Sequence, residues 1–229
     1  MIVGKILKTT TAIVIVFILT ILLIGNNKTN AKEKEKTRKD EINKYENIVF
    51  LGDSITEFYP IDEIYGDLPI IKSGIAGYRT DDLLPKLEEM VYRYNPTSVY
   101  LLIGTNDLLW DKAEDKIKAI SNIKKIVESI KSNRKKTKIY IESIYPVNIG
   151  LDTTRNMVGY RENETIIEVN KEIEKYCREN NYIYINMYDE LIDEDGNLNK
   201  KYTNDGLHPN SLGYAKITRV LLPYIYGVE

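Results

Sequence analysis

From residue 47 onward, short apolar runs rich in β-branched and aromatic residues alternate with longer amphipathic stretches. The runs at 48–51, 70–73, 98–103, 138–143 and 182–186 have strand length, and the stretches at 81–94, 114–132, 164–179 and 211–226 have helix length. The second stretch shows the helical period well, with Ile117, Ile120, Ile123, Ile126, Val127 and Ile130 on one side and lysines on the other. Strands that are almost continuously apolar need cover on both faces, which argues for a parallel sheet with helices on either side. The expected fold class is α/β, a three-layer α/β/α sandwich with a parallel sheet of about five strands. In such sheets ligands bind at the carboxyl ends of the strands, where the connecting loops gather. Three polar segments fall at such ends: Gly52-Asp53-Ser54, the glycine segment 74–77, and Gly104-Thr105-Asn106-Asp107. They are expected to converge on one rim.

The segment before this pattern is of a different kind. Lys5 and Lys8 precede an uncharged apolar stretch from 11 to 24, the charged-then-apolar order of an export signal. That stretch is short for a membrane span, which takes roughly 20 residues. Residues 1–25 therefore read as a signal peptide, with cleavage after Ala31, or as an uncleaved N-terminal membrane anchor. Either reading places the remainder outside the cytoplasmic membrane, secreted or anchored. Residues 26–44, with Lys32-Glu33-Lys34-Glu35-Lys36, form a charged linker, and 45–229 form one domain.

Charge and cysteine content exclude several function classes. Nine of the 32 basic residues and four of the 34 acidic ones precede residue 45, so the domain carries a net charge of about -7. An acidic domain is a poor partner for nucleic acid. Cys177 is the only cysteine and His208 the only histidine, which argues against a disulfide or a transition-metal centre. The domain also lacks both a Gly-x-Gly-x-x-Gly segment and a Gly-Lys-Ser/Thr phosphate loop, so a nucleotide-binding reading is disfavoured. The 18 tyrosines read as compositional bias more than as a functional signal.

A single histidine narrows the chemistry further. A serine hydroxyl is a poor nucleophile at neutral pH and needs a positioned base, usually an imidazole that a carboxylate can orient. If the chain does serine chemistry, the base has to be His208, and Asp205 lies three residues before it in Asp205-Gly206-Leu207-His208.

Gly52-Asp53-Ser54-Ile55, the segment ending at Gly77, Gly104-Thr105-Asn106-Asp107 and Asp205-Gly206-Leu207-His208 resemble, in the same order, the four sequence blocks of the SGNH (GDSL-type) hydrolases. The resemblance covers residues 47–222. The only departure in the first block is Ile55 in place of leucine, a volume-conserving swap. The resemblance implies a flavodoxin-like SGNH-hydrolase fold and carboxylic ester hydrolysis. In it Ser54 would be the nucleophile, His208 the base and Asp205 its orienting carboxylate. The oxyanion hole would consist of the Ser54 and Gly77 backbone N–H groups and the Asn106 side-chain amide. Gly74 is a second candidate for the glycine role, although its position before the bend favours packing. Asp53 and Asp107 read as loop-holding carboxylates. No metal or organic cofactor is implied.

Substrate is less sharply indicated. Leu108 and Trp110, with Leu109 between them, would form an apolar wall for an acyl group or simply begin the next helix. Tyr145 stands on the same rim, and Arg155 and Arg161 read as solvated loop charges or contacts for an anionic substrate. No long apolar lid insertion is evident, which favours a small acyl group on a carbohydrate or similar polar ester. The expected partner is a small-molecule, glycan or lipid ester, with membrane contact only through the N-terminal segment. Alternatives are O-acyl transfer through the same acyl-enzyme, lysophospholipase or thioesterase activity, and a non-catalytic binding protein.

Overall fold

A computed structural model describes residues 47–228. The export segment expected at 1–25 and the linker at 26–44 lie outside the described residues. Among the described residues, no helix is long and apolar enough to cross a membrane.

Five strands form one sheet: β1 (Ile48–Gly52), β2 (Ile70–Gly74), β3 (Ser98–Leu102), β4 (Lys138–Glu142) and β5 (Ile183–Ile185). Their spatial order is β2-β1-β3-β4-β5, and every pairing is parallel. The central strands β1 and β3 are buried along their whole length, as their unbroken apolar runs require. Because successive side chains point to opposite faces, the sheet separates two kinds of core. Val49, Leu51, Val99, Leu101, Ile139 and Ile141 belong to an aliphatic cluster completed by helices α5 (Ala113–Asn133) and α6 (Asn163–Asn180). Burying a side chain of this size contributes roughly 1.5–3 kcal/mol.

Phe50, Tyr100 and Tyr140 alternate with those residues and lie abreast in register across β1, β3 and β4. Their rings touch in sequence, with centroids 5.0 Å apart for Phe50–Tyr100 and 4.5 Å for Tyr100–Tyr140. The C-terminal helix α8 (Ser211–Tyr226) belongs to this aromatic layer. Tyr224 meets Tyr140 edge-on, and Tyr214 stacks on Tyr59 at 5.0 Å. Several of the tyrosines that looked like compositional bias therefore build a core layer.

The remaining helices are short: α1 (Ser54–Glu57), α2 (Ile61–Tyr65), α3 (Thr80–Leu83), α4 (Leu87–Met90) and α7 (Tyr188–Leu191). The single helix expected over 81–94 is broken into α3, a 3-10 turn at Leu84–Lys86, α4 and a second 3-10 turn at Tyr92–Tyr94. Pro85 lies in the first turn, and a proline removes one backbone donor and crowds the preceding turn. The apolar periodicity was sound, but its backbone could not stay α-helical. In α5, Ile117 is 66% exposed although the period put it with the buried isoleucines. It lies near the start of the helix, before the buried stripe that begins at Ala119.

Candidate active site

The carboxyl end of β1 leads directly into α1, whose first residue is Ser54. Asp53 caps this turn by accepting the Ile55 N–H at 3.0 Å, so the cap belongs to the aspartate and the serine hydroxyl stays free to face elsewhere. From the opposite end of the chain, the Tyr214 hydroxyl donates to the Ile55 carbonyl at 2.9 Å and ties α1 to α8.

His208 sits on the loop before α8. The helix start is set two residues later, where the Asn210 side chain accepts from Leu212 N and Gly213 N. Asp205 divides its two oxygens between backbone and ring. Oδ1 accepts the N–H groups of Leu207 and His208 at 2.9 and 2.8 Å, which curls the loop, while Oδ2 lies 2.8 Å from His208 Nδ1. With Nδ1–H donating a hydrogen bond to the carboxylate, Nε2 is the acceptor, and it lies 3.1 Å from Ser54 Oγ. Burial works against the charged form of Asp205, but the His208 ring and the two N–H donors outweigh it and hold the carboxyl below its ordinary range. Gly206 has φ +82°, and a Cβ there would collide with the Asn148 carbonyl oxygen. Glycine is thus required where the histidine loop lies against the segment after β4.

The other polar segments converge on the same rim, as expected. After β2, Ile75 N donates to the Gly52 carbonyl at 3.2 Å, and Tyr78 N closes a turn on Ile75 O at 3.1 Å. Gly77 is the third residue of that turn with φ +79°, a value that a type II turn demands at this position. It is exposed, with open space where a Cβ would stand. Gly74, by contrast, lies where a Cβ would press on Glu57 N and Asp53 O, so it is a packing glycine. Asn106 follows β3 and bridges two segments: its Nδ2 donates to Tyr78 O at 3.0 Å, and its Oδ1 accepts from Arg161 Nη2 at 3.0 Å.

The neighbouring aspartates hold loops. Asp107 is fully buried and accepts both the Thr80 N–H, at 2.9 Å, and the Thr80 hydroxyl, at 2.6 Å. Burial pushes its pKa up, and the Thr80 bonds oppose the shift. Asp53 is also fully buried, and burial pushes its carboxyl up to about 7.

Three expectations about the rim need correction. Leu108 is fully buried in the aliphatic core, because the chain after Asn106 turns inward as a 3-10 turn, Asp107–Trp110. Tyr145 is also buried, and its hydroxyl donates to Glu142 Oε2 at 2.6 Å, so neither residue presents an open pocket wall. Trp110 alone of the three is exposed, at 54%, and stacks on Tyr160. Arg161 is not a solvated loop charge, since it is only 2% exposed. Arg155 donates to the Gly159 carbonyl and lies over the Tyr160 ring, which makes it a brace within its loop.

Phe58, which the sequence did not single out, is half exposed with its ring 5.5 Å from that of His208. A cavity of about 550 Å³ between α6, α7 and the segment 192–197 contains neither Ser54 nor His208. Its polar lining, with Asn163, Glu174 and Asp189, lies elsewhere than the serine–histidine contact, and it is the contact that has reactive geometry. Among the described residues, no group of three or more His, Cys, Asp or Glu side chains is arranged to hold a metal ion.

The sequence profile of the GDSL-like Lipase/Acylhydrolase family matches residues 50–216. The N-acylneuraminate cytidylyltransferase of Escherichia coli O18:K1:H7 (strain RS218 / NMEC) is 29% identical over 193 residues, which cover 81% of this chain and 42% of that protein. The chain thus spans less than half the length of this curated relative. A solved structure from Streptococcus pneumonia, named for platelet activating factor, is 33% identical, with a TM-score of 0.73 over 91% of this chain and 99% of that one. A GDSL-like lipase from Bacteroides thetaiotaomicron VPI-5482 is 26% identical, with a TM-score of 0.71 over 82% of this chain and 91% of that one. A family match running from β1 into α8 spans the serine turn, the Asn106 segment and the histidine loop alike, and the chain belongs to the GDSL-like lipase/acylhydrolase family.

Proposed function

We propose that this protein hydrolyses an acyl ester through a covalent serine intermediate, with a small acyl group on a carbohydrate or similar polar alcohol as the preferred substrate. The observation that carries the reading is the unbroken path from Asp205 Oδ2 through the His208 ring to Ser54 Oγ, with links of 2.8 and 3.1 Å. As the Ser54 oxygen forms its bond to the ester carbonyl carbon, its proton passes to His208 Nε2, and Asp205 stabilises the imidazolium. The carbonyl oxygen becomes an anion, received by the backbone N–H groups of Ser54 and Gly77 and by Asn106 Nδ2. Collapse breaks the bond to the alcohol, which leaves with the proton from His208. Water then repeats the sequence on the acyl-serine and releases the acid.

Loops pinned by hydrogen bonds support a small polar substrate. The segments around Ser54 are tied to one another by hydrogen bonds, and among the described residues those that follow β1, β2 and β3 carry only short helices or turns next to the strand ends. The apolar N-terminal stretch supports an extracytoplasmic location, secreted or anchored, where envelope glycans and external esters are the accessible substrates. The cytidylyltransferase activity of the longer relative is not part of this reading, because the match covers only 42% of that protein.

The test is a turnover panel of short acyl esters, acetylated glycans and lysophospholipids, each with and without an added sugar acceptor. The reading expects free acid from the first two, at a rate indifferent to acceptor. Acceptor-dependent product would replace hydrolysis by acyl transfer, and exclusive turnover of lysophospholipid would overturn the substrate class.

A further inference from the structure

We propose that Arg161 is a positioning residue for the reaction, one that orients and polarises the Asn106 amide so that its Nδ2 donates toward the reacting carbonyl oxygen. The proposal rests on the oxyanion role given to Asn106 above. Arg161 lies on the segment before α6, 55 residues from Asn106, and is 2% exposed. Its guanidinium is fixed by three backbone carbonyls: Nε donates to Thr105 O at 2.7 Å, and Nη1 to Met157 O at 3.0 Å and Val158 O at 2.6 Å. The remaining arm, Nη2, donates to Asn106 Oδ1 at 3.0 Å.

An asparagine amide can rotate by half a turn and exchange its oxygen for its nitrogen. Here both partners demand the same orientation. Arg161 can only donate, so it must face Oδ1, while the Tyr78 carbonyl can only accept, so it must face Nδ2. One Nδ2 hydrogen goes to Tyr78, and the second remains for the site.

The contact also acts electronically. A buried cation hydrogen-bonded to an amide oxygen draws electron density from the nitrogen and strengthens its N–H as a donor, an effect that low dielectric enlarges. Burial lowers the guanidinium to about 10, with the Asp53 carboxylate opposing that shift, so the cation persists at neutral pH. An arginine taken out of water is destabilising unless its donors are satisfied. Three carbonyls and the Asn106 amide oxygen take four of its five N–H groups, and Asn106 is the only side chain among these partners.

The test is a kinetic double-mutant cycle on a short acyl ester with Arg161→Met, Asn106→Ala and the pair. Arg161→Met is expected to lower kcat about 10- to 100-fold with KM within about twofold, less than the loss of the whole donor. In the Asn106→Ala background the same change should alter kcat by less than about twofold, because the group through which Arg161 acts is gone. Equal fold-losses in both backgrounds would overturn the positioning role while leaving Asn106 in place. An Asn106→Ala variant as fast as wild type would overturn the oxyanion reading and this proposal together. Should Arg161→Met fail to fold, Arg161→Lys keeps the buried cation, and the side-chain ¹⁵N resonance of Asn106 gives the readout. That resonance is expected to shift and to exchange faster with solvent, and an unmoved resonance would overturn the proposal.

Discussion

Ser54 Oγ and His208 Nε2 lie 3.1 Å apart although 154 residues separate them in the chain. Parallel winding brings this about: β1 ends at the same edge as the loop that precedes α8, and the Tyr214 hydroxyl pulls the two together by bonding the Ile55 carbonyl. The contact makes Ser54 the group that should react with a serine-directed phosphonate. A fluorophosphonate probe is expected to add a single label at Ser54. Persistent labelling of Ser54→Ala in intact-mass spectrometry would remove the nucleophile assignment.

Asp205 has two tasks, and one substitution separates them. Asp205→Asn retains an oxygen for the Leu207 and His208 N–H groups but no longer favours the tautomer with Nδ1 protonated. Turnover is expected to fall on the order of 10⁴-fold at neutral pH. Steady-state kinetics beside a thermal melt checks this, and a variant that melts like wild type and keeps its rate would exclude the carboxylate from the mechanism.

Asn106→Ala deletes one of the proposed oxyanion donors. The expected loss is on the order of 10²- to 10³-fold in kcat with little change in KM, because the bond matters most once the oxygen is charged. A loss confined to KM would assign Asn106 to ground-state binding instead.

Gly206→Ala tests the histidine loop. A side chain at φ +82° costs about 1–2 kcal/mol, and its Cβ would also collide with the Asn148 carbonyl. Denaturant melts should show lower stability, and activity should fall as His208 is displaced. Unchanged stability would mean that the loop has room that its packing does not show.

Glu142 gives a pH signature unrelated to the triad. It is buried on β4 beside the Tyr145 hydroxyl, and burial pushes its carboxyl from 4.5 up to about 7. Between those values the folded chain holds a proton that the unfolded chain has released, so stability falls as pH rises through this window and levels off above it. The full effect is on the order of 3 kcal/mol. Glu142→Gln, which can still accept from Tyr145, should reduce the slope of unfolding free energies measured between about pH 4.5 and 8, leaving the part that the buried Asp53 contributes. An identical slope in the variant would place its origin in other groups.

Patterns of local origin were legible in the chain itself. Continuous apolar runs specify buried parallel strands, and amphipathic periods specify the helices that cover them, because both follow from backbone geometry over a few residues. The same locality explains the failure at Pro85, where the period implied a helix that the missing N–H interrupts. The polar segments at the strand ends were also legible. Their identities, with a single histidine in the chain, left few ways to assemble a serine site.

Tertiary structure alone decided what faces what. Leu108 and Tyr145 stand beside rim residues in sequence yet point into the core, since one turn of backbone redirects a side chain by more than a composition can register. Arg161 carries no sequence signal of its role, for its charge reads the same whether solvated or buried, and its partners Thr105 and Asn106 lie more than fifty residues away. Which groups share a chain of hydrogen bonds depends on close packing between distant segments. Amino-acid order supplied the chemical inventory of this protein, and the winding of its sheet determined which members of it meet.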